Sequence, residues 1–151
     1  MLRWNRWAKD EDGSAALEFV TVGVILLIPL VYLVITLGAV QEQLLGVEAA
    51  ARHTARVIGQ ADDAATAAEN SDALLANVID EYGMDADSVE VSISCTPRAN
   101  ECPSAGATVI VTVSTVVSLP LVPAIFGLDR AASIPLQAAA AQKVSRLWGS
   151  E

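Results

Sequence analysis

Apolar positions along this chain follow three different spacings, and each change of spacing marks a new part. From Phe19 to Val40 almost every residue is apolar and none is charged. A run of that length crosses a bilayer, because a hydrocarbon core of about 30 Å takes roughly 20 residues of helix. From Leu44 the apolar residues thin out to positions 44, 47, 51, 55 and 58, the three- and four-residue steps of one helical face. The spacing predicts one continuous helix from Ser14 to Ile58, about 67 Å long at 1.5 Å per residue. Glu48 precedes Arg52 by four residues, the favourable order for an exposed ion pair. Pro29 is expected to bend the helix and Gly59 to stop it.

Beyond Gly59 the elements are shorter. Asn70-Ser71-Asp72 are predicted to cap a short helix running to Tyr82, with Leu74, Leu75, Val78, Ile79 and Tyr82 on its inner face. The period then falls to two. Val89, Val91, Ile93 and Cys95 alternate with Glu90, Ser92 and Ser94 as a half-buried strand, and Val109, Val111 and Val113 alternate with Ile110, Thr112 and Ser114 as a second. The polar loop from Thr96 to Gly106 joins them as a hairpin. Ser133 to Val144 reads as a third strand with Ile134, Leu136 and Ala138 on one side, while its run of alanines also suits a helix. Between these, the apolar Ala124-Ile-Phe-Gly127 fits packing under the sheet, lying on a membrane surface or touching a partner subunit. The fold class that follows is α+β: a long N-terminal helix, transmembrane in its first half, and a small antiparallel-sheet outer domain with one short helix.

Charge and composition narrow the function. The net charge of −9 excludes the electrostatic footprint of a nucleic-acid binder, which needs clustered Lys and Arg. Arg3, Arg6 and Lys9 precede the span, and basic residues tend to stay cytoplasmic; Trp4 and Trp7 suit an interfacial anchor on that side. Arg52 and Arg56 beyond the span weaken this orientation, which still places the N-terminus in the cytoplasm and the outer domain outside. Cys95 and Cys102 then lie where a disulfide persists and are expected to staple the hairpin; their spacing is not Cys-x-x-Cys and no histidine is near. His53, the only histidine, reads as a surface residue. Asp62 to Glu90 holds nine acids and no Lys or Arg, a solvated face. Within it Asp85, Asp87 and Glu90 lack the spacing and central glycine of a calcium loop. No serine–histidine–acid order, phosphate-cradling glycine loop or ligand group is present. The chain is read as no enzyme, with no cofactor, no metal and no small-molecule substrate.

The head of the apolar run is its most informative part. Glu18 stands just before Phe19, and an acid forced to the centre of a membrane helix costs about 2.5–3.5 kcal/mol. A cleaved secretory signal does not suit the segment: its apolar core is too long and only poor sites follow, at Thr36-Leu37-Gly38 and Leu37-Gly38-Ala39. A polar leader ending in Gly13, a small residue at Ser14, Glu five residues into the remainder and an aromatic after it make the run Gly13-Ser-Ala-Ala-Leu-Glu-Phe-Val20. This resembles the processing signature of type IV pilin-like proteins, and in particular TadE-like pilus-assembly proteins. The resemblance extends through Ala49-Ala-Ala-Arg-His-Thr-Ala-Arg56 and, more loosely, the cysteine hairpin and the Leu119–Leu128 segment.

That resemblance implies a leader of residues 1–13, removed after Gly13 by a prepilin peptidase. A transmembrane helix would follow over 14–40, its pilin-like continuation over 41–60, and the outer domain over 61–151. It implies a minor pseudopilin of a Tad-type adhesive pilus, with the bilayer, the peptidase, other pilin-like subunits and the Tad membrane machinery as partners. Cleavage creates an α-amino group on Ser14, with a reference pKa of about 7.7–8.0, within a turn of Glu18 or near the Glu18 of a neighbouring subunit. Such a pair offsets the desolvation of both charges. The readings set against this are an uncleaved single-pass envelope sensor or binding protein, and a pseudopilin of a related secretion system.

Overall fold

The computed structural model describes residues 11–97, 101–120, 122 and 132–149, with side chains from Ala15 onward. The element order is α1 (Glu11–Gln60), α2 (Ala64–Glu81), one 3₁₀ turn (Ala86–Ser88), β1 (Glu90–Thr96), β2 (Thr108–Ser118) and β3 (Ser133–Lys143). The α+β class and the continuous first helix are as the sequence predicts. The chain divides into two units, Met1–Leu37 and Gly38–Glu151.

In the first unit α1 is apolar all round, and its large aliphatic side chains are exposed among the described residues. Phe19 is 80% exposed, and Ile25, Leu26, Leu30 and Leu33 are exposed on successive turns. A helix without a polar face belongs in a protein core or in lipid. By length and composition this one can cross a membrane. Pro29 lies inside it, where its ring removes the bond to the carbonyl four residues back.

In the second unit the same helix becomes one-sided. Val47, Ala50, Ala51, Ala55 and Ile58 are buried, whereas Leu44, on the predicted face, stays exposed. Arg52 pairs with Glu48 at 3.0 Å on the opposite, exposed side, and His53 is exposed there as expected. The buried face shares one core with Val109, Val111 and Val113 of β2 and with Val78 and the flanking Leu74, Leu75 and Ile79 of α2. The strands form a meander in the order β1-β2-β3, antiparallel throughout. Val111 stands between Ile93 and Ala140, and Val113 between Val91 and Ala138. The other face, with Ser92, Thr112 and Gln137, has no helix layer among the described residues.

Two expectations change and one alternative is resolved. α2 begins six residues before Asn70, capped by Asp63, because Ala64-Ala-Thr-Ala-Ala68 supplies the strongest helix formers and Asp63 satisfies the first-turn amides. The Thr66 N–H donates to Asp63 Oδ1 at 2.7 Å. Gly59 does not stop α1, which runs to Gln60; a Cβ at Gly59 would lie 2.5 Å from Gln142 Cγ, so its role is close approach to β3. Residues 133–143 form a strand, the alternative that period two favoured over the alanines' helix propensity. The Ala124–Gly127 stretch, Trp4 and Trp7 lie outside the described residues.

α2 ends in a Schellman motif. Gly83 adopts φ +56°, the Gly83 N–H donates to the Asp80 carbonyl and the Met84 N–H to the Ile79 carbonyl. Gln43 of α1 donates from Nε2 to the carbonyls of Tyr82 and Gly83, at 3.0 and 3.2 Å. Beside it, Gly46 leaves room for Tyr82: a Cβ there would stand 2.8 Å from Tyr82 Cβ. Gly46→Ala is expected to cost about 1–3 kcal/mol through overpacking, read as a lowered urea midpoint with unchanged slope.

The Asp63 carboxyl sits below the usual range because the Thr66 backbone N–H, then its hydroxyl, hold it ionised. A depressed folded value means that this stabilisation is present above the unfolded aspartate value of about 3.9 and lost as pH falls through the folded one. NMR titration should find Asp63 below the free-aspartate value, with faster Thr66 amide exchange as it protonates. Asp63→Asn, which still caps, should remove that pH dependence.

Candidate functional site

The head of α1 is built by local chemistry. Among the described residues α1 runs from Glu11 through the Gly13–Ser14 bond, so the predicted leader boundary falls within helix. Gly13 and Ser14 therefore have helical backbone. Glu18 lies one turn on, with an exposed side chain between exposed Leu17 and Phe19. In a helix, positions four apart share a face and lie about 6 Å apart along the axis, so Ser14 and Glu18 are brought together by α1 itself. Thr21 Oγ1 donates to the Leu17 carbonyl at 2.7 Å, meeting its own hydrogen-bond need inside the helix.

The second predicted pair is joined covalently. Cys95, at the end of β1, and Cys102, in the connection to β2, form a disulfide with Cα atoms 5.7 Å apart. Cys95 is buried on the core face opposite Val109. The bridge therefore fastens the hairpin connection to the covered side of the sheet.

The acids of the polar segment serve local structure. Asp85 caps the 3₁₀ turn by accepting the Asp87 N–H at 3.1 Å, and the hydroxyls of Ser88 and Thr115 share a hydrogen bond of 2.9 Å. Among the described residues no three His, Cys, Asp or Glu side chains converge on a point that could hold a metal ion.

Comparison of the chain with protein-family models, curated proteins and solved structures returns no match in any of the three.

One feature escaped the sequence. Val91 and Ile93, expected on the half-buried face of β1, are 38% and 48% exposed. They lie on the helix side of the sheet, but β1 is an edge strand and the helices leave a groove over it. Thr54, a polar residue set among the apolar positions of the α1 face, lines the same groove. That misplaced hydroxyl was the available signal.

The disulfide closes a loop of seven-residue separation, and on chain entropy its removal should cost about 2–3 kcal/mol. Cys95→Ser paired with Cys102→Ser is expected to lower the unfolding midpoint accordingly. Thiol labelling of the folded wild-type chain should find neither cysteine reactive.

Proposed function

We propose that the chain is a membrane-anchored minor pseudopilin, TadE-like, taking part in assembly of a Tad-type adhesive pilus after a prepilin peptidase cuts behind Gly13. The observation that supports this most is Glu18 at the head of the uncharged stretch 19–40 of α1, four residues after the Ser14 that follows Gly13. A carboxylate there is a burden for a simple anchor. It becomes useful when cleavage turns the Ser14 nitrogen into an ammonium one turn away, or on the adjacent subunit, and the pair sets the register of neighbouring helices. The outer unit supports a minor role: Gly38–Glu151 makes up most of the chain, a large cargo for a bulk fibre subunit. On this reading the N-terminus is cytoplasmic, the outer unit extracytoplasmic, and the partners are the bilayer, the peptidase, pilin-like subunits and the Tad machinery.

Intact mass tests the reading directly. Protein purified from its own membranes should lack residues 1–13, and Gly13→Ala or loss of the peptidase should restore the full length. A full-length wild-type chain would instead establish an uncleaved single-pass anchor. Glu18→Ala should leave cleavage near wild type while sharply reducing piliation. Normal pili with that substitution would overturn the role given to Glu18.

A further inference from the structure

The groove over β1 lies wholly within the outer unit and does not depend on how the anchor is processed. It has a volume of about 430 Å³, and its walls include Ile58 of α1, Ala67 and Leu75 of α2, Val91 and Ile93 of β1, and Cys102 of the disulfide. Three further observations point to an occupant. Among the described residues β1 pairs with β2 alone, so its outer backbone edge is open. Thr54 is 2% exposed and its Oγ1 has no hydrogen-bond partner among the described residues; Ser71 Oγ is likewise buried and without one among them, and both residues line the groove. Buried hydroxyls left without a partner are rare in native folds. Among the described residues the charges nearby share one sign: Asp72 lines the groove, Glu101 precedes Cys102, Glu90 opens β1 on its opposite face, and no Lys or Arg lines the groove.

The two edges of the sheet are unequal. β3 carries Pro135, which cannot donate to a ladder, and ends in Lys143, both devices that deter strand pairing. β1, Glu-Val-Ser-Ile-Ser-Cys-Thr, has no Pro, Lys or Gly. An open edge beside an apolar groove is the arrangement that accepts an added strand, with backbone bonds supplying affinity and alternate side chains supplying specificity.

The geometry points to β1 and its groove as the docking site for an extended segment of a partner protein, alternating apolar and basic residues. The segment adds to the β1 edge. Its apolar side chains enter the groove on the Val91–Ile93 side, and its alternate, basic residues lie on the opposite face of the sheet, beside Glu90. A second copy of this chain is the poorer occupant, because pairing β1 with itself would bring together two chains that each carry a net charge of −9.

The test uses the full chain in nanodiscs of zwitterionic phosphatidylcholine, which do not themselves attract a cationic peptide. The probe is a fluorescein-labelled octapeptide, Lys-Val-Thr-Ile-Lys-Val-Thr-Val, followed by anisotropy and by amide hydrogen exchange of the protein. Saturable binding is expected, with slowed exchange in β1. A version with Glu for Lys should bind at least tenfold more weakly, and one with Pro for both Thr not at all. Ile93→Lys, at an exposed position, should weaken the Lys peptide at least tenfold while β2 amide protection stays at the wild-type level. Failure to bind, equal affinity for the Lys and Glu peptides, or protection confined to other elements would overturn the proposal. So would β1 protection that grows with protein concentration alone and disappears in Ile93→Lys, which would assign the edge to a second copy.

Discussion

The constraint on which the outer unit depends is one core shared by three alanines and three valines. Ala50, Ala51 and Ala55 of α1 and Val109, Val111 and Val113 of β2 are all buried in it. Alanine loses no rotamer freedom on burial, and each buried valine contributes about 1.5–3 kcal/mol. Larger residues on α1 would hold the helix off the sheet and open the core to water. The other contacts adapt to this one: Gly46 and Gly59 are where neighbouring chain comes too close for a side chain, and α2 fills the remaining side with Leu74, Leu75 and Val78.

The same helix changes solvent along its length, and its composition changes with it. Between Phe19 and Val40 large aliphatic residues point in every direction, which suits lipid, where no face needs to be polar. From Val47 the large residues give way to alanine on one side and to Glu48, Arg52, His53 and Arg56 on the other. Glu18 is the exception to the first regime and Thr54 to the second. Each is a polar group where the local pattern asks for an apolar one, and each is the residue on which a functional proposal rests.

Much of this architecture was legible because helix and strand periods are local properties. The long helix, its Glu48–Arg52 pair, the β1–β2 hairpin and the Cys95–Cys102 bridge all follow from neighbours within a few turns. The start of α2 was misread because Asn70-Ser71-Asp72 resembles a cap as closely as Asp63 does; the alanines before it decide the matter through propensity summed over a full turn. The exposure of Val91 and Ile93 was not legible in β1 itself, and only Thr54 on α1 signalled it. Whether an apolar face is covered depends on how far α2 extends across the sheet, which no residue of β1 encodes. The processing motif was the reverse case. Gly13, Ser14 and Glu18 were recognisable from sequence, and the fold adds that helix continues through the bond between the first two.

The last described residues of the chain are fastened to the end of α1. The Ser145 N–H donates to the Gly59 carbonyl at 3.0 Å and the Gly149 N–H to the Asp62 carbonyl at 2.8 Å, just after β3. This gives the outer unit a mechanical character. The segment after β3 is bonded back to Gly59 and Asp62, so a force that reaches the end of α1 passes to the last strand through these backbone bonds as well as through the shared core. β3 is thereby held at its C-terminal end by more than its ladder with β2.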